Sequence, residues 1–178
     1  KDESTEGEPL VYDTVVYVKD SASKAELFTR ARKWMAASFN NSKKVIQYEN
    51  KDLGEISGDA NIRTLGIKSP LGEYEYNGVV AFYITIQVKD GRYKLTIKNF
   101  DHKCTEQSNP HVASGNFTLG LLSTAPAPPK YMLKDSWLSH KKKVKYWQFV
   151  KEQVDDNVTL LMSSLEKGMN APTVSDDW

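Results

Sequence analysis

Metal binding or thiol chemistry needs histidine and cysteine close together, and this chain has three His and one Cys to supply them. His102 and Cys104 are two residues apart, so a strand through them carries both on one face, where imidazole and thiolate could share a metal ion. His111 and His140 lie further along, remote in sequence from a short-spaced tetrahedral ligand set. The same pair could act as nucleophile and base, given a depressed thiol pKa and an orienting Asn or Asp. The alternative is an ordinary surface His and a small buried thiol. Carboxylate pairs occur at Glu73/Glu75, Asp155/Asp156 and Asp176/Asp177, but acid–base work needs two carboxyls facing each other across a cleft, and Asp155/Asp156 fit a solvated helix face. Gly-rich phosphate loops, Gly-x-Ser-x-Gly elbows and His-Glu-x-x-His motifs are absent from the sequence. No catalytic residue, metal or cofactor is therefore assigned, and a metal-binding or hydrolytic protein using His102, Cys104 and His111 is the second reading.

The aromatic residues are more suggestive. Tyr74, Tyr76, Tyr131 and Trp137, with Tyr146 and Trp178, fall outside the clearest core stripes, several of them in turns or a long loop. Exposed aromatics there stack on sugars or anchor a peptide, and the first four are the expected ligand-binding residues. The competing reading has them capping the core beneath the loop. The run Lys141–Lys145, next to Tyr146 and Trp147, has the composition of an acidic-surface or nucleic-acid contact. Yet 24 Lys+Arg against 23 Asp+Glu give a net charge of +1, well short of the basic excess of a dedicated nucleic-acid binder. No nucleic acid is expected as a partner.

These residues must be positioned by local structure. Leu10–Val18 is rich in Val and Tyr without a polar face, which predicts a central, two-sided strand. Ser23-Lys24-Ala25-Glu26 reads as a capping box opening a helix, whose apolar stripe is Leu27, Phe28, Ala31, Trp34, Met35, Ser38 and Phe39. Lys24, Arg30, Arg32 and Lys33 fall elsewhere on that helix, and Asn40-Asn41 ends it. Val45–Glu49 and Glu55–Ile67 read as strands, with Gly58 and Gly66 marking bulges or close approaches. Val80, Phe82, Ile84, Ile86 and Val88 alternate with polar residues up to Asp90-Gly91, a two-residue turn. The strand returning from Arg92 then pairs Val88 with Tyr93, Ile86 with Leu95 and Ile84 with Ile97 on the core face. The opposite face, with Tyr83, Thr85 and Gln87 against Lys98, Thr96 and Lys94, is polar. Residues 102–143 form a long loop containing an edge-strand candidate at Phe117–Leu122, and Val144, Trp147, Val150, Val154, Val158, Leu161 and Leu165 mark a second helix. Asp135 or Ser136 is an alternative helix start, because lysines near a helix N-terminus oppose its dipole.

The order β-α-β-β-β-β-α predicts an α+β fold: an antiparallel sheet with two helices packed on one face. At 178 residues, 39 % hydrophobic, 26 % charged and 11 % aromatic, the chain suits one globular domain over 10–170, with a flexible lead over 1–9 and a tail over 171–178. No apolar run reaches transmembrane length, and a lone Cys says nothing about the redox compartment. The first residue is Lys, and the polar lead is consistent with removal of an export signal.

The layout VVYV, SKAELFTRARKWMAASF, KKVIQYENKDLGEISGDANI, a hairpin and VDDNVTLLMSSLEKGM resembles the domain of unknown function 4468, with a TATA-binding-protein-like fold. Its most specific stretch is Arg32–Gly58, and its motifs are structural rather than catalytic. The resemblance implies a Bacteroidetes envelope protein, exported to the periplasm or the outer-membrane surface, with a lipid anchor upstream as one route of attachment. The segment from Cys104 to Lys143 fits the family pattern least. The expected function is a non-enzymatic cell-envelope module that binds a glycan or a protein partner.

Overall fold

The computed structural model describes residues 7–39, 45–68, 74–75, 77–105, 118–126 and 140–171, excluding the side chains of 67, 68, 74, 75 and 140–142. The strands are β1 (Tyr12–Tyr17), β2 (Ile46–Asn50), β3 (Glu55–Thr64), β4 (Ile67–Lys68), β5 (Tyr74–Glu75), β6 (Gly78–Lys89), β7 (Arg92–Cys104) and β8 (Gly120–Leu121). The helices are α1 (Lys24–Ser38) and α2 (His140–Met169). Six strands form an antiparallel sheet in the order β1-β7-β6-β3-β2, with β8 also paired to β7, while β4 and β5 form a separate pair. The α+β architecture expected from the sequence is what the chain forms, with the two-residue strands β4 and β5 added and β8 falling within the edge-strand candidate 117–122.

Contacts divide the chain into two compact units: Lys1–Leu10, Asn61–Phe82 and Asn99–Asn157, and Val11–Ala60, Tyr83–Lys98 and Val158–Trp178.

In the second of these, Ser23 caps α1 by accepting the Glu26 N–H at 3.3 Å, and the Lys24 N–H donates to Asp90 Oδ1 at 2.7 Å. Asp90 therefore serves the helix as well as the hairpin turn, where Gly91 takes the positive φ of 70°. Leu27, Phe28, Ala31, Trp34 and Met35 are buried as the helical spacing requires, the larger of these side chains contributing about 1.5–3 kcal/mol each, whereas Ser38, expected in the same stripe, is exposed. Trp34 Nε1 donates to Ser164 Oγ of α2 at 3.0 Å. Arg30, expected on the polar side of α1, is instead 5 % exposed. Its guanidinium donates to Asp20 Oδ2 at 2.8 Å, to Glu26 Oε1 at 2.5 Å and to the carbonyl of Met169 at 2.6 Å. Two carboxylates and a helix C-terminal carbonyl offset the cost of desolvating the cation, and the guanidinium beside Asp20 holds that carboxyl below the usual range.

β1 is an edge strand, not the central one its composition suggested. It pairs with β7 from Tyr12↔Ile97 to Tyr17↔Arg92, and Val11, Val15 and Tyr17 face outward and are exposed. A run of Val and Tyr carries no polar residue to mark which face is wet. At Gly58 the β2–β3 register shifts, and an added Cβ would collide with the Val45 carbonyl, so the close approach expected there is real.

In the first unit β6 enters through Val80 and Phe82, and Phe82 stacks on Phe100 with ring centroids 5.6 Å apart. β7 buries Tyr93, Leu95 and Ile97, then switches parity and buries Phe100 and His102. Asn99 causes the switch by taking φ 60°. One residue in left-handed geometry adds an extra position to the strand, as a β-bulge does, and Asn tolerates this because its short polar side chain can bond locally.

Asn99→Gly should leave unfolding free energy within experimental error, whereas Asn99→Val should lower it by about 1–2 kcal/mol, measured by urea denaturation. Equal stability of the two variants would mean that the left-handed turn does not hold β7 in this register.

Candidate functional site

The parity switch brings His102 fully into the interior, with 0 % of its surface exposed. The Leu119 backbone N–H donates to Nδ1 at 3.2 Å, and Nε2 lies 3.3 Å from the hydroxyl of Tyr146 on α2. The rings meet edge to face, with centroids 5.7 Å apart and an interplanar angle of 80°. A backbone amide can only donate, so Nδ1 carries no proton and the neutral ring holds its hydrogen on Nε2, donating to Tyr146.

Gly78, the first residue of β6, makes room for this ring. A Cβ there would lie 2.5 Å from His102 Nε2, 2.8 Å from the Lys103 carbonyl oxygen and 3.1 Å from Thr64 Oγ1. Thr64, 2 % exposed at the end of β3, has no hydrogen-bond partner for its hydroxyl among the described residues. Neighbouring backbone is well held. Asn77 Oδ1 accepts the Gly66 N–H at 3.0 Å, the Asn77 carbonyl accepts the Thr105 N–H at 2.9 Å, and Gln153 grips Leu65 at both its N–H and its carbonyl.

Burial pushes the His102 pKa down to about 4, with Asp101 opposing the shift. Burial likewise pushes the Tyr146 phenol up, and the nearby Cys104 adds to it. Both rings are therefore neutral at physiological pH. The Nδ1 lone pair that a thiol base or metal ligand would use is already taken by Leu119, so the geometry serves structure rather than nucleophile activation.

His102 is thus neither a surface loop residue nor an exposed ligand, because β7 continues through Cys104 and Asn99 turns its side chain inward. Cys104 is half-buried, and its backbone N–H donates to Thr118 Oγ1 at 3.2 Å. Among the described residues no three His, Cys, Asp or Glu side chains are grouped to hold a metal ion. Of the expected binding aromatics, Tyr74 lies in β5 opposite Lys68, while Tyr76, Tyr131 and Trp137, like His111, are outside the described residues. Tyr146 and Trp147 are buried, so they belong to the core rather than to a stacking platform. Leu119, Gly78 and Thr64 were not singled out by the sequence; the visible signal was the three-residue step from Ile97 to Phe100, which breaks a two-residue alternation.

Because the native ring resists charging, the unfolded chain takes up a proton near its ordinary pKa of about 6.5, and His102 favours the folded state above that pH. Lowering the pH from about 6.5 to 4 should remove roughly 3 kcal/mol of this contribution, and His102→Gln should flatten that slope in urea titrations. Thr64→Val, which replaces an unpaired hydroxyl by a methyl, should stabilise the protein by about 1 kcal/mol, whereas Tyr146→Phe should cost about 1–3 kcal/mol by leaving the Nε2 hydrogen without an acceptor. A destabilised Thr64→Val would show that the hydroxyl is bonded in solution.

Solved structures share this fold. A DUF4468 family protein from Bacteroides ovatus ATCC 8483 superposes with a TM-score of 0.58 at 16 % identity, over 94 % of this chain and 90 % of that one. A TBP-like protein from Parabacteroides distasonis ATCC 8503 superposes with a TM-score of 0.56 at 12 % identity, over 91 % of this chain and 96 % of that one. Likeness at these identities carries the fold alone. No curated protein matches the chain. The family model described as a domain of unknown function (DUF4468) with TBP-like fold matches residues 12–103, from β1 through the buried histidine of β7, and the chain belongs to that family.

Proposed function

We propose that this protein is a non-enzymatic module of the cell envelope that binds a glycan or a protein partner. The observation that supports this reading is the outward row on β1, where Val15 is 52 % exposed and Tyr17 68 % exposed. The Arg92 guanidinium lies 5.8 Å from the centre of the Tyr17 ring, and Lys94, opposite Val15, pairs with Asp13 at 3.1 Å. An exposed aromatic flanked by cations and hydrogen-bonding groups suits the apolar face and hydroxyls of a sugar, or a peptide side chain. The burial and committed hydrogen bonds of His102 count against the metal or hydrolytic reading centred on it. Export to the periplasm or the outer-membrane surface is part of the proposal and rests on the family resemblance; among the described residues no helix is long and apolar enough to cross a membrane.

A thermal-shift panel tests the reading, with soluble peptidoglycan fragments, envelope oligosaccharides, divalent metals with and without chelator, and a DNA oligomer at low salt. A ligand that binds the native state raises its apparent stability. The expected result is a saturable rise with a sugar that is lost in Tyr17→Ala, or in Tyr131→Ala or Trp137→Ala if the long loop carries the contact. A metal-specific rise abolished by Cys104→Ser would overturn it.

A further inference from the structure

We propose that His102 is an acid-sensitive latch, whose neutral ring holds Thr118–Leu122 against the end of β7 and whose protonation at Nδ1 frees that segment. This goes beyond the binding reading and does not depend on it.

Among the described residues these bonds hold the segment. Leu119 N–H donates to Nδ1 at 3.2 Å, Thr118 Oγ1 accepts the Cys104 N–H at 3.2 Å, and Leu122 N–H donates to the Phe100 carbonyl at 2.7 Å. β8 adds two opposed pairs, Asp101↔Leu121 and His102↔Gly120. Only the Nδ1 bond depends on a protonation state. A second proton on the ring must land there, since Nε2 already carries one, and two N–H donors then face each other. Among the described residues no carboxylate bonds the ring: its hydrogen bonds are those to Leu119 and Tyr146.

The surroundings decide which element yields. From β7, Asp101 favours the charged ring only modestly, its carboxylate pairing with Lys103 Nζ at 3.4 Å, and Cys104 lies near Tyr146. On α2, Tyr146 is neutral and Lys143, one turn earlier and buried, adds a like charge to that helix. β3 and β6 bring Thr64 and Gly78, and β8 with the residue before it brings Gly120 and Leu119, none of them charged. A two-residue strand is the weakest of the elements packed here, so parting β8 from β7 is the easiest way to give the imidazolium water. Release should reach the N-terminal side as well, because Leu10 N–H donates to the Leu122 carbonyl at 3.0 Å and Thr124 N–H to the Glu8 carbonyl at 2.8 Å.

Amide hydrogen exchange followed by NMR on the whole chain, from neutral pH to about pH 4, reads the latch directly. Protection of Leu119 and Leu122, corrected for intrinsic exchange rates, should fall at least about ten-fold on acidification while that of Ile84 and Ile86 in β6 changes by less than about two-fold. His102→Asn, which offers an amide oxygen near the place of Nδ1 and cannot charge, should keep its protection across the range. If that variant does not fold, the wild-type profile decides alone. Uniform loss of protection throughout the chain, or none at Leu119 and Leu122 once His102 has titrated, would overturn the proposal.

Discussion

One backbone torsion sets the interior of the first unit. Asn99 in β7 adopts φ 60°, and the strand that buried Tyr93, Leu95 and Ile97 goes on to bury Phe100 and His102. Without that extra position the alternation would continue through residues 99, 101 and 103, placing Asn99, Asp101 and Lys103 inside and Phe100 and His102 in water. The cost of left-handed geometry at a non-glycine residue, about 1–2 kcal/mol, is small against burying Asp and Lys or exposing Phe. β7 also changes partner around this point, pairing with β1 through Ile97 and with β8 from Asp101. The flanking geometry depends on it as well: the approach of β6 at Gly78, the hydrogen bond from Leu119 and the edge-on Tyr146 all presuppose an inward imidazole.

Arg30 plays the comparable part in the second unit. A guanidinium presents five donors in a rigid fork, and here they reach the loop after β1 at Asp20, the next turn of α1 at Glu26 and the end of α2 at Met169. Asn170 Oδ1 accepts the Lys19 N–H at 2.8 Å, so the same loop meets the α2 terminus a second time. Each unit thus contains a buried polar side chain bonded to more than one element: His102, an uncharged ring, in the first, and Arg30, an ion, in the second. Such groups add little net stability, but leaving either without partners is costly, which disfavours alternative packings.

Much of the fold was legible because its signals are local. The Ser23 cap, the stripe of α1 from Leu27 to Met35, the alternation of β6, the turn at Asp90-Gly91 and the close approach at Gly58 each follow from a few adjacent residues and are found as expected. The position of β1 at a sheet edge was not legible, because Val and Tyr suit both a central strand and the outward row of an edge strand. Arg30 was misread because charge alone assigns it to solvent, whereas Asp20 and Met169 are brought to it by folding. His102 was misplaced for the same kind of reason: its surroundings are set by Asn99, by a glycine 24 residues earlier in the sequence and by a leucine 17 residues later, inside the expected long loop. The three-residue step between Ile97 and Phe100 carried the information, but weakly, and a continuous strand explains it only with a bulge.

The family to which the chain belongs is described as a domain of unknown function with a TBP-like fold, and one fold can host unrelated functions. This chain carries a neutral, buried His102 with a short segment bonded to it. The most direct test is a long-range 1H–15N NMR titration of the His102 ring in the folded wild-type protein. The structure predicts hydrogen on Nε2 and a pKa held down to about 4. A ring carrying its hydrogen on Nδ1, or titrating near the ordinary value of about 6.5 while the protein stays folded, would contradict the account.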